Sequence, residues 1–131
     1  MIVRTLDEVI GTEDDVSNAE KTWNSRRLLL ARHGMGFSMH DTIIPEGENQ
    51  FWYKNHLEAV YCIEGEGEIE SRDTGQKWQI APGTLYALNE HDKHTLRARK
   101  TLRLICVFNP PVTGEEVHDE DGAYALPPQS S

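Results

Sequence analysis

The stretch LEAVYCIEGEGEIESRDTGQKWQI, residues 57–80, constrains this chain more than any other. LEAVYCIEG is a strong strand signal, rich in β-branched and aromatic side chains and free of proline. GEGEIES carries the extended pattern onward and DTGQ is a turn signal, so the whole reads as a β-hairpin. Side chains alternate faces along a strand. Leu57, Ala59, Tyr61 and Ile63 therefore share one face, and Glu58, Val60, Cys62 and Glu64 share the other. If the second face is interior, Glu58 is a buried carboxylate that must be paired, protonated or bound to a metal. If it is the wet face, Glu58 and Glu64 are ordinary solvated carboxylates. The strand alone leaves both readings open.

The same strand-and-turn grammar recurs along the chain. SRRLLLAR and FSMHDTII are strand-like and are separated by HGMG, while PEGENQ reads as a loop. APGT is a further turn, and LYAL, HTLRAR and TLRLICVF are strands, with NEHDK turning the chain after LYAL. In TLRLICVFN the residues Leu102, Leu104, Cys106 and Phe108 form a wholly apolar face, expected to point inward and floor a cavity. TEDDVSNAEKTW is the helix-like run, with DD as a start signal. NPPVTGEE is an exit loop, and residues 127–131 are expected to be a flexible tail after a single domain over residues 1–126. Short strands at regular spacing in one small domain predict an all-β barrel or sandwich with a short N-terminal helix.

Charge narrows the function classes. A formal net charge of −9 without a basic stripe argues against a nucleic-acid partner. It fits a solubilising surface, as in a halophilic host, though ordinary cytosolic proteins can be this acidic. No apolar run approaches the ~18 residues of a membrane span, and MIVRTLDEVIGTEDD lacks the apolar centre of a signal peptide. The expected setting is the cytoplasm, with Cys62 and Cys106 as reduced, buried thiols.

Spacing adds more than composition. Small barrels of the cupin type carry a first motif in which six residues separate a glutamate from a glycine, as Glu58 and Gly65 are separated here. Their second motif runs glycine, five residues, Pro-x-Gly, then histidine after two more. Gly83 is followed by Asn89, His91 and His94 in those slots, so His94 takes the ligand position while Asn89 and His91 replace the turn residues. The chain resembles a cupin-type double-stranded β-barrel at both motifs. The first motif's paired histidines would fall within FWYK, residues 51–54, and are missing. Glu58 and His94 alone are short of the three protein ligands of a usual catalytic site. Tyr86, which shares a strand face with Leu88, is a candidate third ligand because a bound cation favours the phenolate. His56 and His91 compete with it.

The resemblance extends beyond the barrel. MIVRTLDEVIGTEDDV, TWNSRRLLLARHGMGFSMHDTII, HLEAVYCIEGEGEIE, PGTLYALNEHDKHTLRA and NPPVTGEEVHDEDGAYAL together resemble the ectoine synthase family over almost the whole chain. That resemblance implies cyclisation of N-γ-acetyl-L-2,4-diaminobutyrate to ectoine with loss of water, by a ferrous-iron cupin that acts as a cytoplasmic homodimer. It implies iron ligands at Glu58, Tyr86 and His94. It carries substrate contacts to Trp23, Arg27, His40, Thr42, Tyr53, Cys106 and Phe108, with His56, Glu116 and His118 as polar groups at the cavity mouth. The general base stays open between Tyr53, His56 and a hydroxide on the metal, and the short segment after GAYAL leaves open whether the tail forms a lid.

Taken singly, these residues say much less. Arg27 in SRR reads as a solvated strand face, Trp23 as core or interface, Cys106 as a small buried hydrophobe and Thr42 as a plain strand residue. Other classes compatible with the barrel are a metal-cupin oxygenase or isomerase, which would want a more histidine-rich ligand set, and a non-enzymatic module binding a small polar ligand.

Overall fold

The computed structural model describes residues 1–114. Glu116, His118, the end of the expected domain at residue 126 and the expected tail 127–131 lie outside the described residues.

Helix α1 (Leu6–Val9) opens the fold, followed by β1 (Asp15–Ser17), β2 (Asn24–Leu29), a one-turn 3-10 segment (Ala31–His33), β3 (Ser38–Ile44), β4 (Gly47–Phe51), β5 (Leu57–Ser71), β6 (Lys77–Ile80), β7 (Leu85–Leu88) and β8 (His94–Asn109). All strand pairs are antiparallel.

The two longest strands, β5 and β8, organise everything else. They pair with each other along almost their full length, from Leu57 opposite Asn109 to Ser71 opposite His94. Midway their register shifts repeatedly, between Cys62 and Gly67. Such bulges bend a ladder and sharpen its twist, and here they divide the long pair into two arms. On the first arm β8 pairs with β3 and β5 pairs with β7, continuing through β2 to β1. On the second arm β8 pairs with β4 and β5 pairs with β6. The arms thus become two facing sheets, the cupin-type double-stranded barrel expected from the sequence. Gly65 and Gly67 make the corner possible: a Cβ on Gly65 would run into the Thr101 carbonyl oxygen, and one on Gly67 into that of Arg97. Gly65 also has φ +97°, a backbone region that disfavours any side chain.

The open question about β5 is now answered. Glu58, Val60 and Cys62 are buried, while Leu57 and Tyr61 are exposed, so the Glu58 face is interior. On β8, Leu102, Leu104, Cys106 and Phe108 point inward as their apolar face predicted. Both cysteines are buried and free.

Three element assignments need correction. The helix is not at residues 12–23 but at Leu6–Val9, where Thr5 and Glu8 form a reciprocal capping box. The acidic pair read as a helix start is used in long-range contacts instead. The Asp14 carboxylate pairs with Arg4 at 3.1 Å and with Arg32 at 2.5 Å, and that of Asp15 accepts from the Gly11 amide and from Asn24. β1 then pairs with β2, and sheet contacts override the local helical pattern. Second, PEGENQ is not all loop, because Gly47–Phe51 is strand β4. Its side chains are mostly polar because its outer face meets solvent, and only Phe51 is buried. HTLRAR and TLRLICVF are also one continuous strand rather than two. Among the described residues no helix is long and apolar enough to cross a membrane.

Candidate active site

Between the two sheets lies a narrow cavity. Nine of the sequence-predicted residues line it: Trp23 before β2, His40 and Thr42 on β3, Tyr53 in the β4–β5 loop, Glu58 on β5, Tyr86 on β7, and His94, Cys106 and Phe108 on β8. Glu58 and Tyr86 come from the first arm and His94 from the tip of the second, so the ligand set exists only because the corner folds one arm over the other. Arg27 and His56 are buried beside the cavity rather than lining it. The charge of Arg27 is felt by His40, and His56 packs edge-on against Phe108 at 6.0 Å between ring centres. Leu104 lines the cavity as its apolar face predicted, whereas sequence reasoning missed Ser25, Ile44, Phe51 and Leu96, which also line it. Ser25 was recoverable, since Trp23, Ser25 and Arg27 follow the period of two that puts alternate residues of a strand on one face. Phe51 was hidden by the loop assignment next to it.

Burial dominates the electrostatics of the three candidate ligands. Burial pushes the Glu58 carboxyl up to about 8, and the hydrogen bond from the Cys106 thiol offsets this only in part. Tyr86 is pushed well above the ordinary phenol range by burial first, and then by the neighbouring carboxylate of Glu58. His94 falls to about 4, again chiefly by burial. Its Nδ1–H donates to the Asp92 carbonyl at 3.0 Å, which fixes the tautomer and leaves Nε2 as the lone-pair donor. A cation among these groups would reverse the burial effect on the carboxylate and the phenol and bind the neutral imidazole directly. Among the described residues no three His, Cys, Asp or Glu side chains cluster as a metal site. A centre here therefore requires the tyrosine. Carboxylate, phenolate and imidazole form an oxygen- and nitrogen-rich set suited to iron.

Around this set the walls divide by chemistry. One side is aromatic: Tyr53 stacks on Phe51 at 5.7 Å and meets Phe108 edge-on at 5.1 Å. The other side is a buried polar chain. Arg27 Nε donates to Ser25 Oγ at 3.4 Å, Ser25 Oγ meets His40 Nδ1 at 3.1 Å, and His40 Nε2 meets Ser38 Oγ at 3.2 Å. Ser38 Oγ in turn accepts from the Val112 amide at 3.0 Å, which ties the exit loop to the cavity wall. Burial lowers His40 to about 3, helped by the positive charge of Arg27, so this imidazole is neutral.

Known proteins agree with this architecture. The family model described as ectoine synthase matches residues 1–128. L-ectoine synthase of Desulfatibacillum aliphaticivorans is 63% identical over 127 residues, 96% of this chain and 98% of the relative. L-ectoine synthase of Oceanobacillus iheyensis is 58% identical over 127 residues, with 96% and 98% covered. The solved structure of ectoine synthase from P. lautus superposes with a TM-score of 0.86 at 59% identity, covering 99% of this chain and 94% of that one. From cavity, fold and these matches together, the chain belongs to the ectoine synthase family and is a lyase.

Proposed function

We propose that this enzyme cyclises N-γ-acetyl-L-2,4-diaminobutyrate to ectoine with loss of water, using ferrous iron held by Glu58, Tyr86 and His94, and that it works as a cytoplasmic homodimer. The observation that carries the reading is the convergence of those three side chains, from three different strands, on one cavity.

The reaction joins an amine to an amide carbonyl within one molecule. Amides are weak electrophiles, and a divalent metal bound here supplies Lewis acidity toward the carbonyl oxygen. The protein does the rest. Arg27, buried behind the cavity wall beside Ser25 and His40, sets a fixed positive charge on the polar side toward which the substrate carboxylate is drawn. Trp23, Tyr53 and Phe108 give walls that curl a flexible substrate and exclude water, the product whose excess favours ring opening. The attacking amine must lose a proton. Of the two protein candidates for the base, His56 is lowered by burial and by the nearby charge of His91, so it is neutral and able to accept one. Tyr53 lies closer, on the cavity wall. Dimerisation is supported by the outer face of the first arm, where Tyr61 and Leu85 stand opposite in register at 45% and 61% exposure and want cover.

The test is an anaerobic assay with the acetylated diamino acid, comparing metal-free protein with protein given ferrous iron. Ectoine is expected with iron alone. Tyr86→Phe is expected to lower both iron stoichiometry and ectoine formation, the latter by at least about a hundredfold. Retained iron and activity in that variant would remove Tyr86 from the ligand set.

A further inference from the structure

His91 stands in the slot that the second motif gives to a turn glycine, and its backbone behaves as a glycine there could: φ is +53°. That left-handed region is disfavoured for a residue with a Cβ. Such strain persists where the surroundings over-determine it. Here the surroundings are two contacts that cross the barrel mouth. His91 Nδ1–H donates to the Tyr53 carbonyl oxygen at 2.8 Å, 38 residues away in sequence. The Lys93 ammonium lies over the Trp52 ring, 4.3 Å from its centre. Both contacts join the turn between β7 and β8 to the loop between β4 and β5.

Each of these segments delivers a side chain to the site. The turn ends on His94, the candidate ligand. The loop carries Tyr53, whose ring lies 6.3 Å from that of His94 and edge-on to Phe108. His91 does not line the cavity, so it acts through the loop. We propose that His91 is a positioning residue, a latch that holds residues 52–56 against the ligand turn and so fixes the Tyr53 wall over bound substrate. A glycine in this slot would relieve the backbone but remove the hydrogen bond to the Tyr53 carbonyl, leaving the Lys93–Trp52 contact as the remaining one of the two. The direction of the kinetic effect rests on the cyclisation proposed above; the latch itself does not.

The experiment compares full-length, ferrous-loaded His91→Gly with the unaltered enzyme. The substitution keeps the backbone conformation and deletes the donor. Unchanged iron stoichiometry and an unchanged or higher Tm are expected, with amide hydrogen exchange across residues 52–56 faster by about tenfold. KM should rise by a similar factor, with kcat changed less. His91→Asn tolerates the same backbone and offers an amide donor, so it should recover part of both effects. Unaltered exchange at residues 52–56 in His91→Gly overturns the latch, whatever the activity. Loss of iron also overturns it, since His91 would then support the metal rather than the loop. If the unaltered enzyme fails to cyclise the substrate, the proposed function falls, while the exchange comparison still decides the latch.

Discussion

The two sheets of this barrel differ in what they place inside. The sheet carrying β3, β7 and the C-terminal half of β8 sets Ser25, His40, Thr42, Glu58 and Tyr86 among inward apolar side chains such as Leu104 and Phe108, and its outer face mixes exposed Leu57, Tyr61 and Leu85 with ion pairs from Arg26 and Arg103 to Asp41. The sheet carrying β4, β6 and the N-terminal half of β8 is apolar within, with Ile69, Ile80, Leu96 and Ala98. Outside, Arg97 pairs with Glu48 at 2.8 Å, Glu68 at 3.2 Å and Glu70 at 2.7 Å. One sheet is built as a domain usually is, and the other gives up interior apolar surface to hold chemistry. Hydrophobic burial is the dominant favourable contribution to folding, and every buried polar group must find a partner. The stability of the barrel should therefore lie mainly in the second sheet and its function mainly in the first.

The largest expected effect sets a core truncation against a polar one. Ile80→Ala, in the second sheet and remote from the cavity, should cost about 2–5 kcal/mol in urea denaturation with KM unchanged. Thr42→Val, in the first sheet, should move stability by no more than about 1 kcal/mol while kcat/KM falls, because it removes the hydroxyl that supports Cys106 beside Glu58. A Thr42→Val enzyme with unaltered kinetics would break the division of labour.

Acid should expose the first sheet next. His40 titrates at about 3 in the fold against 6.5 in a free chain. Its folded value is depressed, so the unfolded chain takes up the proton first. The corresponding stability is present above pH 6.5 and is lost as pH falls toward about 3, by up to about 1.4 kcal/mol per pH unit. Tm measured from pH 7 down to 4 should fall less steeply for His40→Gln. Equal slopes would mean that acid acts elsewhere.

Arg97→Ala should have the smallest effect. Its partners are solvent-exposed in part, and exposed ion pairs contribute little. Any loss of Tm should appear at low salt, where three carboxylates are left facing one another, and vanish near 1 M, where screening reaches ~3 Å. A loss that survives high salt would show the outer face of the second sheet doing more than solvation.

The sequence carried which residues share a face on β5 and β8, because alternation is a local property; the all-apolar row Leu102, Leu104, Cys106 and Phe108 has only one sensible direction, whereas the mixed rows of β5 left the interior face open until the fold supplied it. Glu58 and His94 were legible through spacing, since a motif fixes a turn and the turn fixes where the next strand begins. Ser25 was missed, though its alternation with Trp23 was in plain view. The false helix at residues 12–23 failed for a different reason: Asp14 and Asp15 look like a helix start until Arg4, Arg32 and Asn24 arrive from elsewhere in the chain. β4 failed because an edge strand facing water has the composition of a loop. The link from His91 to Tyr53 spans 38 residues and ends on a backbone carbonyl, a partner that leaves no mark on side-chain identity.

Gly65 and Gly67 sit at the vertex of two arms, with Glu58 near the tip of one and His94 at the tip of the other. Gly65 lies seven positions along the strand from Glu58, which at a strand's rise is roughly 23 Å of leverage. The vertex is thus a fulcrum for the jaws of a caliper. A methyl group wedged there would be magnified along both arms, and the span between carboxylate and imidazole would widen at the far end. The distance between the Glu58 and His94 positions is thus gauged at a corner that lies outside the cavity lining.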